Sequence, residues 1–172
     1  MMLSAREITS LFQRLSDVLG RSGTNGELYL VGGAVMCLAH RARPSTADVD
    51  GYFVPAARVR EAARVVAEEV GVDPEWLNDG VKGYLSDRGE FTPFVELPHL
   101  RVMVARPEYL LAMKCLALRL GEEFHDLDDV RFLLRLLNIT EASTARAIIT
   151  RYYPVERFPP KAMFALEELL GG

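Results

Sequence analysis

Cysteine is scarce in this sequence: Cys37 and Cys115 are the two among 172 residues. Both fall inside apolar helical patterns, so they read as buried thiols and not as a disulfide or a metal pair. Such cysteine usage fits a reducing cytoplasm, the expected location. No apolar run approaches the about 20 residues needed to cross a bilayer. The N-terminus has no basic segment leading into an apolar one, so neither secretion nor membrane contact is expected. His40, His99 and His125 are scattered without ligand spacing and carry no expected catalytic part. Positive charge is also short. Twenty Lys and Arg against 24 Asp and Glu leave a net charge of −4. That excludes a surface coated for nucleic-acid binding, though not a local basic patch. There are no repeats and no low-complexity segment.

What is present fits an ordinary soluble protein, with 49% hydrophobic and 26% charged residues. The length fits one domain over 1–172 with a sizeable core. The informative stretch runs from Glu27 to Phe53. Leu28 to Val31 is long enough for a buried strand. Gly32-Gly33 breaks it, and Ala34 to His40 has helical composition. Free N–H groups and the dipole at such a helix start favour an anion, and glycine lets a phosphate come close. Asp48-Val49-Asp50 then leads into the apolar Tyr52-Phe53-Val54. On a strand, both carboxylates face one side and Val49 turns to the core. Two adjacent carboxylates repel unless a cation lies between them, and Mg²⁺ is the natural candidate. A tight turn followed by solvated acids at a strand start is the alternative.

The rest of the chain supplies helices and a hairpin. Ser4 to Glu7 is a capping box, followed by an apolar stripe from Ile8 to Leu19. A helix is expected from Pro55 to Val70, its Arg58, Arg60 and Arg64 solvated rather than on RNA. Asp73-Pro74-Glu75 reads as the start of a short helical segment carrying Trp76, Asn78 and Asp79. Strands are expected at 91–97 and 100–105. Helices follow over Pro107 to about Leu120, Asp126 to Asn138 (buried stripe Leu127, Val130, Leu134, Leu137), Thr140 to about Tyr152, and Pro160 to Leu170. The expected fold is therefore α/β (α+β): a small mixed sheet flanked by helices over about 1–106, then a helical C-terminal half over about 107–172.

The pattern Val31-Gly32-Gly33, Arg43, Ser45-Thr46, Asp48-Val49-Asp50 resembles the polymerase-β-like nucleotidyltransferase superfamily. It looks like the minimal branch that includes the AbiEii and MenT type toxins. A related uncharacterised bacterial family also carries Trp-Leu-Asn-Asp, matched by Trp76 to Asp79. The likeness covers roughly residues 25 to 138. It implies nucleotidyl transfer from an NTP to a hydroxyl, with Asp48 and Asp50 holding Mg²⁺ (or Mn²⁺). Gly32 and Gly33 would face the phosphates, Ser45 and Thr46 would bond them or cap the turn, and Arg43 would reach them. Related sequences often carry that arginine one position nearer the aspartates, where this chain has Pro44. A tRNA 3′ end or a protein is the implied acceptor. The chain would be the toxin of a toxin–antitoxin pair, with an antitoxin protein as partner. Transfer to a small molecule, or a non-catalytic module binding nucleotide or a partner, are the alternatives.

Other residues carry two readings each. Asn78 and Asp79 either line the nucleotide or acceptor cleft or end a helix. Glu96 is the best candidate for a third carboxylate, or an edge glutamate facing solvent. Arg151-Tyr152-Tyr153 is an aromatic cluster before it is a base-stacking site. Lys114 has Leu110, Leu111, Ala117 and Leu118 as its helical neighbours. It either snorkels from a core helix or aims into a cleft. The toxin-like relatives carry Lys-x-x-Ala-x-Arg, matched by Lys114, Ala117 and Arg119. That resemblance points the ammonium at the nucleotide near Asp48 and Asp50, paired in the free protein with a site carboxylate such as Asp126. Asp126 and Asp129 share a helix face, either as helix-start acids or as the acid pair that those relatives carry after the lysine helix.

Overall fold

The computed structural model describes residues 1–121 and 123–171. They form a mixed α/β chain, 51% helical and 18% strand. It divides into two units: Met1–Gly83 with Phe91–Ala105, and Tyr84–Glu90 with the chain from Arg106 onward. The segment 84–90, expected in the α/β half, thus belongs with the helices.

In the first unit, β1 (Leu3–Ser4) leads into α1 (Ala5–Arg21). The expected capping box is there: the Glu7 N–H donates to Ser4 Oγ, and the Ser4 N–H donates to Glu7 Oε1. Next come β2 (Gly26–Val31), α2 (Gly32–Leu38), β3 (Ser45–Thr46), β4 (Val49–Val54), α3 (Ala56–Val70) and β5 (Leu77–Asn78). A 3-10 turn over Gly80–Tyr84 precedes β6 (Phe91–Leu97) and β7 (Leu100–Ala105). The sheet order is β5-β4-β2-β7-β6; β2 runs antiparallel to β4 and parallel to β7. The two-residue ladder β1–β3 is separate.

Alternation decides which face is buried. Leu28, Leu30, Val49, Phe53, Leu100 and Val102 have almost no exposure. Leu19 of α1 and Val59 of α3 lie over that face; both stand beside the position a side chain on Gly26 would take. The opposite face is half-exposed. There Tyr29 stacks on its cross-strand partner Tyr52 at 4.5 Å, and Phe91 meets both edge-on. Such pairs contribute roughly 0.5–1.5 kcal/mol beyond their burial.

One expected helix is a strand. The Asp73-Pro74-Glu75 start does not propagate. Asp73 Oδ1 accepts the Glu75 N–H at 2.8 Å, the chain turns once, and Leu77–Asn78 joins β4 in parallel. Trp76 is fully buried and donates its indole N–H to the Ala63 carbonyl of α3 at 3.0 Å. Burying that large ring and pairing two strands outweighs a local helix signal.

In the second unit, α4 (Pro107–Leu116), α5 (Asp126–Leu136), α6 (Ala142–Ile149) and α7 (Pro160–Leu170) follow. A 3-10 turn, Val155–Arg157, precedes the last. The first three are shorter than the spacing suggests. The cores of these stripes are right, but helix ends fray where no side-chain cap holds them. In α5 Leu133 is buried, while Leu127 and Leu137 are half-exposed. Helix α4 is buried nearly all round, and α5, α6 and α7 pack on it, as expected of a core helix. Tyr109, Tyr152, Tyr153 and Phe158 make the aromatic cluster of this unit. The segment 84–90 is tied in by side chains: the Ser86 N–H donates to Tyr109 Oη, and Tyr152 donates to Glu90. Burial first pushes both the Tyr152 and Tyr153 phenols well above their usual range, helped by the Glu90 carboxylate at Tyr152 and by Tyr109 at Tyr153.

β2 leaves no room for a side chain at Gly51 of β4, where a Cβ would stand 2.2 Å from the Tyr29 carbonyl oxygen. That neighbour is backbone and cannot rotate away. Gly51→Ala is expected to lower stability by about 3 kcal/mol, read as a drop in the urea midpoint; an unchanged midpoint overturns this packing argument.

Candidate functional site

The polar residues of the first unit gather where β2 and β4 end together. Asp50 pairs with Val31 across the antiparallel ladder and with Asn78 across the parallel one. Ladder partners share a face, so the Asp50 and Asn78 side chains stand on the same side. Asp48 precedes β4 rather than lying in it. Asn78 nevertheless draws it to that side: its Nδ2 donates to Asp48 Oδ2 at 3.3 Å. The Asn78 amide is fixed in turn, donating to the Glu75 carbonyl at 3.4 Å and accepting from the Gly80 N–H at 3.3 Å. Val49, between the acids, is fully buried. Asp50 thus meets Asn78 through the ladder, and Asp48, which lies outside the strand where alternation was expected to place it, meets it through the hydrogen bond.

Gly32 opens α2 with φ of 69°, a left-handed conformation that disfavours a side chain. A Cβ there would lie 3.5 Å from Asp50 Oδ2. At Gly33 a Cβ would meet Thr46 Oγ1 at 2.8 Å and the Arg43 guanidinium at 3.2 Å. Thr46 is buried, and its hydroxyl donates to the Asp48 carbonyl at 3.3 Å. The glycine pair is therefore the floor on which Asp50, Arg43 and Thr46 converge. Ser45 alternates away from Thr46 and pairs with Ser4 in the β1–β3 ladder. Burial raises the Asp48 carboxyl above its ordinary range, against the Asn78 hydrogen bond that lowers it.

Two expected residues stand elsewhere. Glu96 is exposed and faces Arg101 at 3.4 Å. Its ladder row runs Glu96, Arg101, Glu27, Val54. That row is the far end of the sheet, about 20 Å from Asp50 by strand rise and spacing. The strand position level with Asp50 on β7 is Ala105, which has no donor. Asp79 is neutralised by Lys82 at 2.7 Å and Arg60 at 2.5 Å. Lys82 first, then Arg60, hold its carboxyl below the usual range against burial. Arg60, expected in solvent, also lies over the Phe53 ring; Arg58 and Arg64 are exposed.

The second unit holds a separate cluster of charge. Lys114 Nζ lies 2.7 Å from Asp129 Oδ2 and 3.4 Å from Asp126 Oδ1. The pairing with Asp126 is present, and Asp129 is the nearer partner. Asp126 is the first residue of α5 rather than its cap, which is His125. It also takes the Arg119 backbone N–H and Nε, each at 2.9 Å. Both acids are buried and Lys114 is 11% exposed, so Lys114 does not snorkel to solvent. Burial pushes the Asp126 carboxyl up; the Arg119 and Lys114 charges outweigh it and leave it below the usual range.

Among the described residues no group of three or more His, Cys, Asp or Glu is placed to hold a metal ion. Asp48 and Asp50 offer two hard oxygen donors. Mg²⁺ usually takes one or two carboxylates and fills its other positions with phosphate oxygens and water, so the donor set fits. No protein-family model, curated protein or solved structure matches the chain.

Removing the Lys114 charge strands two buried carboxylates. Lys114→Met is expected to cost about 3 kcal/mol of stability, seen in helical circular dichroism against denaturant. The Asp126 shift also has a pH sign. A carboxyl lowered on folding contributes stability above the unfolded pKa of about 4 and loses it as pH falls through the lower folded value. Asp126→Asn is expected to flatten the acid limb of the melting-temperature profile; an unaltered limb rejects the assignment.

Proposed function

We propose that the first unit binds a nucleoside triphosphate with Mg²⁺ and transfers its nucleotidyl group to a hydroxyl, with pyrophosphate leaving. The observation that carries this reading is the convergence of Asp50 on Gly32, and of Arg43 and Thr46 on Gly33, at the end of one strand pair. The resemblance to minimal nucleotidyltransferases supports it, since the same residues make up the motif. Helix α2 has seven residues, so its dipole is weak and Arg43 supplies the stronger attraction for phosphate.

The chain's own residues would act by positioning and charge. Gly32 and Gly33 keep the floor free of side chains, so phosphate oxygens come down to the backbone. Arg43 presents a guanidinium beside that floor. Thr46 holds the turn through the Asp48 carbonyl. Asp48 and Asp50 would hold the metal, and Asn78 keeps the Asp48 carboxylate turned toward it. When bound, Mg²⁺ (or Mn²⁺) would neutralise the triphosphate and polarise the reacting phosphoryl group. Burial disfavours the Asp48 charge in the free protein, and a cation would restore it. As the resemblance has it, the acceptor is a tRNA 3′ end or a protein and the setting a toxin–antitoxin pair.

Calorimetry with each Mg²⁺–NTP tests the reading. Binding is expected only with the metal, and Asp48→Asn is expected to abolish both binding and transfer without lowering the melting temperature. Gly33→Ala forces Thr46 and Arg43 aside, and is expected to weaken NTP binding about 10-fold, the worth of one charged hydrogen bond. Equal NTP affinity with and without Mg²⁺, or full transfer by the Asp48 variant, overturns the function.

A further inference from the structure

A groove of about 1060 Å³ runs beside α1 in the first unit. Arg6, Ser10 and Gln13 line it from α1, Arg41 and Arg43 from the loop after α2, and Phe94 from β6. Among the described residues three arginines and no acid line this space, in a chain whose net charge is −4. The nearest acid in sequence, Glu7, is turned away to cap the Ser4 N–H at 3.0 Å. Arg6 and Arg41 are exposed, and neither has an ion pair among the described residues. Exposed arginines without acids beside them on the wall of a groove leave a positive field for a ligand to answer.

We propose that this groove binds single-stranded nucleic acid and leads its end, past Arg43, to the glycine floor. The proposal rests on the nucleotide site proposed above for its purpose, since Arg43 belongs to both places. A groove open along its length can take an extended ligand. Arginine forks match phosphate oxygens two at a time. The 39% exposed Phe94 ring offers a stacking face for a base. Beside it a mostly apolar annex of about 250 Å³ shares Thr9, Gln13 and Phe94 with the groove and adds Phe12, Val95 and Leu97. An acidic polypeptide would satisfy the arginines and leave the ring and the annex unused. A nucleic-acid strand uses both.

The test measures fluorescence anisotropy of a short fluorescein-labelled single-stranded oligonucleotide, with Mg²⁺–NTP calorimetry on the same preparations. The wild-type chain is expected to bind, and more weakly as salt rises. The double variant Arg6→Gln/Arg41→Gln touches neither the metal acids nor the glycine floor. It is expected to bind the oligonucleotide about 10-fold or more weakly. Its salt slope is expected to fall by about 1.4, which is about 0.7 for each phosphate no longer neutralised. Its NTP affinity is expected to stay unchanged. Phe94→Ala is expected to lose about 10-fold through stacking, with the salt slope kept. No oligonucleotide binding by the wild-type chain, wild-type affinity in the double variant, or displacement by poly-glutamate at equal charge each overturns the groove. Absent NTP binding rejects the nucleotide site instead, and the oligonucleotide result then judges the groove by itself.

Discussion

The register of β2 against β4 governs the first unit. Val31 opposite Asp50 puts Val49 into the core and Asp50 on the other face. A slip of one residue would bury Asp50 and expose Val49, at a cost no surface contact could offset. The close fit of Gly51 under the Tyr29 carbonyl locks that register, because a slipped strand would set a side chain there. The glycine floor inherits its place from the same pairing, since β2 ends at Val31 and Gly32 follows at once.

The two units manage buried charge in opposite ways. In the second, Asp126 and Asp129 are closed in and each has a cation within 3.4 Å. This arrangement is self-sufficient, and its removal is what costs stability. In the first, Asp48 is half-buried, steadied by an amide, and its carboxyl is raised by burial rather than lowered by a cation. A half-buried carboxylate raised by desolvation lowers the stability of the free protein.

Much of this was legible in residue order, because the signals were local. Alternation marked 100–105, and a capping box marked α1. Alanine-rich spacing marked α3, and the strand–Gly-Gly–helix turn was plain. What stayed hidden depends on residues far apart in sequence. Leu77–Asn78 becomes a strand only because β4 is beside it, and Arg60 finds Asp79 across 19 residues. The two-residue ladder of β1 and β3 has no periodicity to read. Glu96 had the right residue type on the right kind of strand, and only the pairing register shows that it stands at the wrong end. The arginines of the groove come from a helix start and a loop that no spacing rule connects.

Trp76 is the chain's one tryptophan, fully buried beside Phe12, its indole bonded to α3. Trp76, Phe12 and Ala63 all belong to the first unit, whereas Tyr109, Tyr152 and Tyr153 belong to the second. Nature has thus fitted the molecule with an internal fluorescent reporter. Excited in its own band, the indole emits for the α/β unit alone, and its red shift dates the moment when β5 leaves α3. Helical ellipticity, by contrast, is carried by both units. Comparing the two signals separates the melting of one unit from that of the other without adding a label to the chain.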